Sequence, residues 1–327
     1  MTAQVITVII LALAFDFLNG IHDSSNVVAT MISSRAFSPR IALGVTALAE
    51  FSGPFLFGVA VAKTIGHEIV SANTISTTVL VAALVSAILW NLLTWYLGFP
   101  SSSSHALIGG LIGSVVMAAG WQAIQLSGLQ KILLTLFTSP LIGFVMGFLV
   151  LRLVLMLCWS ASPRINGLLK RSQMITGVAL ALSHGANDAQ KSMGIITLAL
   201  ITGGYLEKFE VPIWVILLCA GMIAFGTAVG GWRLIRTLGG KFFKIRPVDG
   251  LASQLASASV ILTASLIGGP VSTTQVVSST IMGVGAAERI NKVRWGVAQE
   301  IALAWVLTIP ASALVGAGLY WLVSRFF

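Results

Sequence analysis

Charged side chains are scarce in this chain. Aspartate, glutamate, lysine and arginine together make up 9% of its 327 residues, whereas about a quarter of a soluble domain is charged. Apolar residues reach 57% and the mean hydropathy is +0.96. These values exclude an ordinary soluble domain and predict an all-α polytopic membrane protein.

Cysteine and catalytic signatures are scarce as well. The two cysteines, Cys158 and Cys219, suggest neither a disulfide framework nor a metal cluster. The sequence has no phosphate-binding P-loop, HExxH or GxSxG motif. We therefore expect no enzyme and no organic cofactor, and we expect an ion gradient rather than ATP hydrolysis as the energy source. Because the net charge of +9 sits mostly in short loops, it reports topology rather than a nucleic-acid partner.

The apolar runs predict five helical elements in each half of the chain, at about 20 residues per span. The first half, 1–159, is the first transmembrane repeat, 160–172 is a cytoplasmic linker, and 173–327 is the second repeat. The predicted helices cover 5–33, 41–62, 75–97, 105–121 and 132–159, and then 174–203, 212–232, 248–268, 275–287 and 295–323.

Four landmarks recur in register between the two halves, which indicates an internal duplication. The polar phrase NGIHDSSN at 19–26 aligns with HGANDAQK at 184–191, so that Asp23 falls on Asp188. The segment 99–104 aligns with 269–274, Gly113 with Gly283, and 138–140 with 308–310. Because five elements make an odd number of crossings, the repeats should have inverted topology in the membrane.

Basic residues predict the orientation by the positive-inside rule. With both termini outside, the inner loops carry most of them, and few remain on the outer side. The inner set is Arg35, Arg40, Arg164, Lys170, Arg171, the run from Arg233 to Arg246, Arg289, Lys292 and Arg294; the outer set is Lys63, Lys131, Lys208 and Arg325. We expect a multi-pass protein of the cell (inner or plasma) membrane in contact with the lipid bilayer.

The two aspartate phrases predict an ion site. A carboxylate within the hydrocarbon is costly and marks function by default. Glycine, asparagine and serine around Asp23 and Asp188 predict that the helices over 5–33 and 174–203 are broken there, exposing backbone groups to a cavity. The alternative is a polar cluster that only holds helices together. The cation-coupling candidates are Asp23, Asp188, Asn187, His22 and Glu50, with sodium at Asp23 and Asp188.

The paired proline and serine/threonine segments, which begin at Pro100 and Pro270, predict an anion cradle at the repeat interface. Hydroxyls at a helix start accompany unpaired backbone N–H groups. The alternative is that these hydroxyls only cap the two helices. A separate open point is topology, because each segment can be the tip of a re-entrant hairpin or a turn between two full membrane spans. The phosphate-binding candidates are Ser102, Ser103, Ser104, Ser272, Thr273, Thr274, Asn26 and Lys191.

Electrostatics favour symport, because an anion site among carboxylates with one lysine would repel its ligand unless a cation bound with it. Asp16 and Glu300 have no acidic partner in the other half, so their role is less defined. His105 and His184 adjoin the motifs, but a lone histidine is more often structural. Ser104 beside His105 is the one local pair that would suit an intramembrane hydrolase.

These motifs resemble those of the inorganic phosphate transporter (PiT) family, in particular its bacterial branch. The segment Gly185-Ala-Asn-Asp188 matches the repeated family signature, and 19–23 and 188–191 resemble the bacterial forms of its two copies. The segments 100–110 and 270–274 match the paired Pro-Ser/Thr motif, and 305–310 resembles the closing helix. Gln275 departs from the family, which commonly has histidine there.

The resemblance implies a secondary transporter that imports inorganic phosphate with sodium. It implies that Asp23 and Asp188 are the essential acidic residues, that Ser102, Ser272 and the hydroxyls after each contact phosphate or its co-ion, and that Glu50 occupies an acidic family position. Proton- or metal-coupled symport, sulfate as the anion, and an anion channel of inverted-repeat design remain alternatives. A homo-oligomer such as a dimer also remains open.

Overall fold

The computed structural model describes residues 1–70, 75–98, 101–230 and 244–325. Within these ranges the chain is helical, with one isolated bridge between Val70 and Ile124 and no strand. The α-helices are α1 (Ala3–Ser33), α2 (Pro39–Phe57), α3 (Ala60–Lys63), α4 (Thr77–Leu97), α5 (Ser103–Ala119), α6 (Leu126–Leu157), α7 (Ile165–Thr202), α8 (Ile213–Val229), α9 (Pro247–Leu266), α10 (Thr273–Glu288) and α11 (Trp295–Val323). A π-helix, Thr64–Glu68, follows α3, and 3₁₀ turns cover Trp121–Ala123 and Ile290–Lys292.

Local sequence explains several helix ends. Pro39 begins α2, where its missing N–H costs nothing. Gly98 ends α4 in the left-handed region at φ 74°. The side chains of Ser102 and Ser272 accept hydrogen bonds from backbone N–H groups at the starts of α5 and α10. Phe99, Pro100 and most of the basic run from Arg233 lie outside the described residues.

The predicted breaks in the two long helices are wrong, because α1 and α7 run unbroken through both aspartate phrases. The glycines there serve close helix packing instead. A Cβ on Gly20 would collide with the backbone of α8 at Ile223, and one on Gly185 with the backbone of α2 at Glu50. Ser24 and Ser25 bond carbonyls of their own helix rather than unwinding it. The linker predicted at 160–172 is also partly helical, since α7 begins at Ile165.

α1 and α7 run antiparallel. The Thr2 N–H donates to the Tyr205 hydroxyl beyond the end of α7, while Ser34, just after α1, donates to Gln173 near the start of α7. The predicted site residues of both helices therefore lie side by side. The end of α11 lies near the start of α1, since Val323 lines a small cavity with Gln4.

α4–α5 and α9–α10 form two hairpins that enter from opposite ends of α1. Thr77, at the start of α4, donates to Gln4 near the start of α1. Pro247, at the start of α9, accepts from Gln173 at the other end. The tips meet inside the bundle, where the Ser104 hydroxyl donates to the carbonyl of Val271. The described parts of the two segments, 101–104 and 269–274, thus lie at the tips of the hairpins.

Matching glycine contacts occur in the two halves. Gly185 packs on α2 beside Gly53, and Gly20 packs on α8 beside Gly226. The hairpins follow the same rule, because a Cβ on Gly113 would meet α11 at Ala313 and one on Gly283 would meet α6 at Phe144.

Five helices are long and apolar enough to cross a membrane by length and composition, namely α1, α2, α4, α6 and α11. α5 and α8 are shorter apolar helices. Many large apolar side chains on α6 and α11 are exposed, including Leu141 at 68% and Leu314 at 77%. A lipid-facing surface accounts for that exposure.

Candidate functional site

The hairpin tips meet α1 and α7 at a cluster of buried polar side chains. Asp23 lies on α1 and Asp188 on α7, and both are 0% exposed. Thr273 and Thr274 begin α10 and are 1% exposed. Residues that are up to 251 positions apart in sequence therefore share one enclosed site.

Thr273 connects the two carboxylates. Its Oγ1 lies 3.4 Å from Asp23 Oδ2 and 3.2 Å from Asp188 Oδ2, within hydrogen-bond distance of both. Thr274 donates to Asp23 Oδ1 at 2.8 Å. Asn26 donates to the same oxygen at 2.7 Å, and its amide also lies 2.9 Å from the Thr274 hydroxyl. The predicted anion motif thus directly contacts the predicted cation motif.

Lysine and asparagine side chains also donate to Asp188. Lys191, one turn along α7, donates to Asp188 Oδ1 at 2.6 Å. Asn19 on α1 donates to Asp188 Oδ2 at 3.0 Å. Lys191 is the one fully buried lysine or arginine among the described residues, and one of the three N–H groups of its ammonium donates to this carboxylate.

His184 links the cluster to Glu50. Its Nδ1 lies 2.8 Å from Glu50 Oε1, and its Nε2 lies 3.3 Å from Asp188 Oδ2 and 3.9 Å from Asp23 Oδ2. The Thr227 hydroxyl on α8 donates to the other Glu50 oxygen at 2.5 Å. His22 Nδ1 lies 3.2 Å from Asp23 Oδ1, whereas His184 is nearest to the other oxygen of Asp23.

The serines predicted to bind phosphate are buried, and no hydrogen bond joins them to either aspartate among the described residues. Ser102 accepts from the His105 N–H at 3.1 Å and lies 2.6 Å from His105 Nδ1. Ser272 accepts from the Gln275 N–H at 3.3 Å. Gln275 Nε2 in turn lies 3.4 Å from His105 Nε2, so the residue that departs from the family pattern contacts the remaining histidine.

Other predicted residues have different surroundings. The Asn187 amide donates to Ser265 and to the carbonyl of Gly269, and its oxygen accepts from the Val271 N–H, so it anchors the α9–α10 tip. Ser103 is buried beside Ser102. Glu300 is exposed on α11, away from the cluster.

Sequence reasoning underrated His184 and did not single out Asn19 or Thr227. The spacing of His184 and Asp188, four residues apart in a helix, was an available signal because such residues share one face. Asn19 and Thr227 gave no such signal, since their partners are on other helices.

The chemistry of the cluster suits a cation. Asp23, His184 and Asp188 offer ligand atoms that all lie within 4.8 Å of one another. The surrounding hydroxyl and amide oxygens are hard ligands of the kind that alkali and alkaline-earth ions prefer.

Fold and site together define a helical membrane protein with an enclosed cluster of acidic and polar side chains where two opposed hairpins meet. The model of the phosphate transporter family matches residues 19–316. A "Probable low-affinity inorganic phosphate transporter" of Bacillus subtilis (strain 168) is 44% identical over 98% of both chains. A protein of the same description from Rhizobium meliloti (strain 1021) is 43% identical over 95% of this chain and 94% of its own.

The chain therefore belongs to the phosphate transporter family. A solved structure entitled "The sodium-dependent phosphate transporter" covers all of both chains with a TM-score of 0.93 at 24% identity, which shows the shared fold. Family membership confirms a transporter rather than an enzyme. The side chains of the local pair Ser104 and His105 are not hydrogen-bonded to each other, because Ser104 donates to Val271 while His105 Nδ1 contacts Ser102.

Proposed function

We propose that this protein imports inorganic phosphate by symport with sodium, using Asp23 and Asp188 to hold the coupling cation. The observation that carries the proposal is the pair of buried carboxylates that share the Thr273 hydroxyl. An unscreened phosphate would be repelled there. A bound cation removes that repulsion, so that binding of the cation raises the affinity for phosphate and binding of phosphate raises the affinity for the cation.

The proposal has support from similar proteins. The Bacillus subtilis relative is described as a probable low-affinity inorganic phosphate transporter. The structural neighbour is described as a sodium-dependent phosphate transporter. The oxygen-rich donor set of this chain is consistent with sodium.

The phosphate would bind beside the aspartates, at the starts of α5 and α10. The first turns of these helices supply N–H groups, and 102–104 and 272–274 supply hydroxyls. Lys191 and Asn26 would donate from α7 and α1. Ser102 and Ser272 act as caps here, and we propose that they exchange these bonds for bonds to phosphate.

We further propose that 1–159 and 173–327 are inverted repeats with both termini outside. The antiparallel α1 and α7, the opposed hairpins and the matching glycine contacts support the duplication. The orientation follows from Arg35 and Arg246, which lie at the end of the bundle where α1 ends.

Protons are the second candidate for the coupling ion, and His184 is the observation that favours them. Its imidazole lies within hydrogen-bond distance of both Glu50 and Asp188, so a proton has neighbouring sites to occupy.

Uptake of radiolabelled phosphate into proteoliposomes tests the proposal. An inward sodium gradient without a proton gradient should drive accumulation above equilibrium, and excess sulfate should leave most of it intact. Full accumulation with an inward proton gradient and no sodium would contradict sodium coupling. Dissipation of a preset phosphate gradient without any coupling would indicate a channel.

A further inference from the structure

We propose a second cation site formed by Asp16, Asn19 and Ser192, with Asp16 about two turns before Asp23 on α1 and Ser192 about one turn after Asp188 on α7. The inference rests on the proposed cation coupling and extends it to a residue with no defined role in the sequence motifs. The three side chains belong to α1 and α7 and are each 0% exposed.

Two oxygens at this place accept no hydrogen bond from an N–H or O–H group of the described residues. Asp16 Oδ1 accepts from the Ser192 hydroxyl at 2.5 Å, but Asp16 Oδ2 has no nitrogen or oxygen partner. Asn19 uses its amide nitrogen on Asp188, while its Oδ1 is also without a partner. A buried oxygen left unsatisfied costs about 1–3 kcal/mol, and a cation between the two would remove both penalties.

The neighbouring groups leave a cation as the ligand that fits. Lys191, the buried ammonium nearest in sequence to Ser192, is bonded to Asp188 at 2.6 Å. The Cys219 thiol beside Asp16 is a weak donor and cannot neutralise a carboxylate. Carboxylate, amide and hydroxyl oxygens suit an alkali cation.

The proposed second site is next to the site at Asp23 and Asp188. Asp16, Asn19 and Asp23 follow the spacing of one helical face, and Asn19 bridges to Asp188. A cation at Asp16 and a cation at the aspartate pair would thus share Asn19, which would make their binding cooperative.

The second half of the chain has no equivalent of Asp16. The alignment that places Gly20 on Gly185 puts Ala181 at that position. Asp16 therefore adds one cation to a site that is otherwise built from two matching halves.

Equilibrium binding of ²²Na⁺ to the purified protein, without phosphate, tests the inference. Asp16→Asn keeps the shape and should bind one sodium ion fewer than the wild type. Ser192→Ala keeps the charge and should bind the same number, with one of them about fivefold weaker. Glu68→Gln, at a half-exposed carboxylate paired with Lys131, is the control and should bind as the wild type does.

Unchanged sodium number and affinity in Asp16→Asn would overturn the inference while leaving sodium coupling intact. If Asp16→Asn does not fold, unchanged affinity in Ser192→Ala overturns it instead. A wild-type protein that binds no sodium would contradict both the inference and the sodium coupling on which it rests.

Discussion

At the scale of single residues, Thr273 is the side chain that contacts both halves of the site. Its hydroxyl lies within hydrogen-bond distance of Asp23 and Asp188, and its position at the first turn of α10 brings it beside the proposed anion site. The sequence predicted Thr273 as a phosphate contact only. Its link to the carboxylates depends on long-range packing that no local pattern reveals.

Replacing Thr273 by valine, which keeps the shape and removes the hydroxyl, should weaken sodium-dependent phosphate uptake. Loss of hydrogen bonds to charged groups costs roughly 1.5–3 kcal/mol, about tenfold or more in affinity. Thr273→Ser should retain most of the uptake. Thr263→Val, on the exposed side of α9, removes a hydroxyl that bonds only its own helix and should change little. Equal apparent sodium affinity in Thr273→Val and the wild type would contradict the role of the hydroxyl.

At the scale of elements, the sequence predicted all ten main helices of the bundle, because apolar runs, caps and prolines are local signals. It failed inside α1 and α7, where glycines were interpreted as helix breaks. Gly20 and Gly185 instead permit contact with α8 and α2, and a glycine's neighbour on another helix is invisible in the sequence. The sequence likewise left open whether the two Pro-Ser/Thr segments lie at hairpin tips. The hydrogen bond from Ser104 to Val271, which joins the two tips, is a contact between distant parts of the chain.

Gly185→Ala should separate α7 from α2 and so displace His184 from Glu50. We expect a loss of ~1–3 kcal/mol in stability from overpacking, with a lower melting temperature in detergent and reduced uptake. Gly44→Ala is the matched control in α2, since a Cβ there has open space, and alanine should be neutral or slightly stabilising in a helix. A wild-type melting temperature and uptake in Gly185→Ala would show that close packing at this point is dispensable.

At the scale of the whole molecule, the start of α1 and the end of α11 lie at one end of the bundle, and Arg35 and Arg246 lie at the other. Apolar side chains cover the site on one side along the bundle, and hydrogen-bonded polar side chains cover it on the other. Towards the chain termini it is covered by Val5, Val8 and their neighbours. Towards the other end, Gln254 bridges Thr30 and Thr176. Opening on the polar side would break hydrogen bonds that water can replace, so we expect that side to open more readily.

Cysteine labelling in intact cells tests the proposed orientation. In a Cys158→Ser background, Lys208→Cys should react with a membrane-impermeant maleimide, because that exposed loop would face outwards. Ser162→Cys is exposed in the loop before α7 and should react only after permeabilisation. Reversal of these two results would invert the topology.

The central claim, that the buried aspartates couple a cation to phosphate, is tested most directly by phosphate binding to purified protein at several sodium concentrations. The wild type should bind phosphate more tightly as sodium rises, by roughly 5–150-fold at a typical coupling energy, and phosphate should tighten sodium binding by the same factor. Asp23→Asn and Asp188→Asn should fold and retain weak phosphate binding that no longer responds to sodium. Phosphate affinity that is independent of sodium in the wild type, or equally sodium-dependent in both variants, would contradict the account.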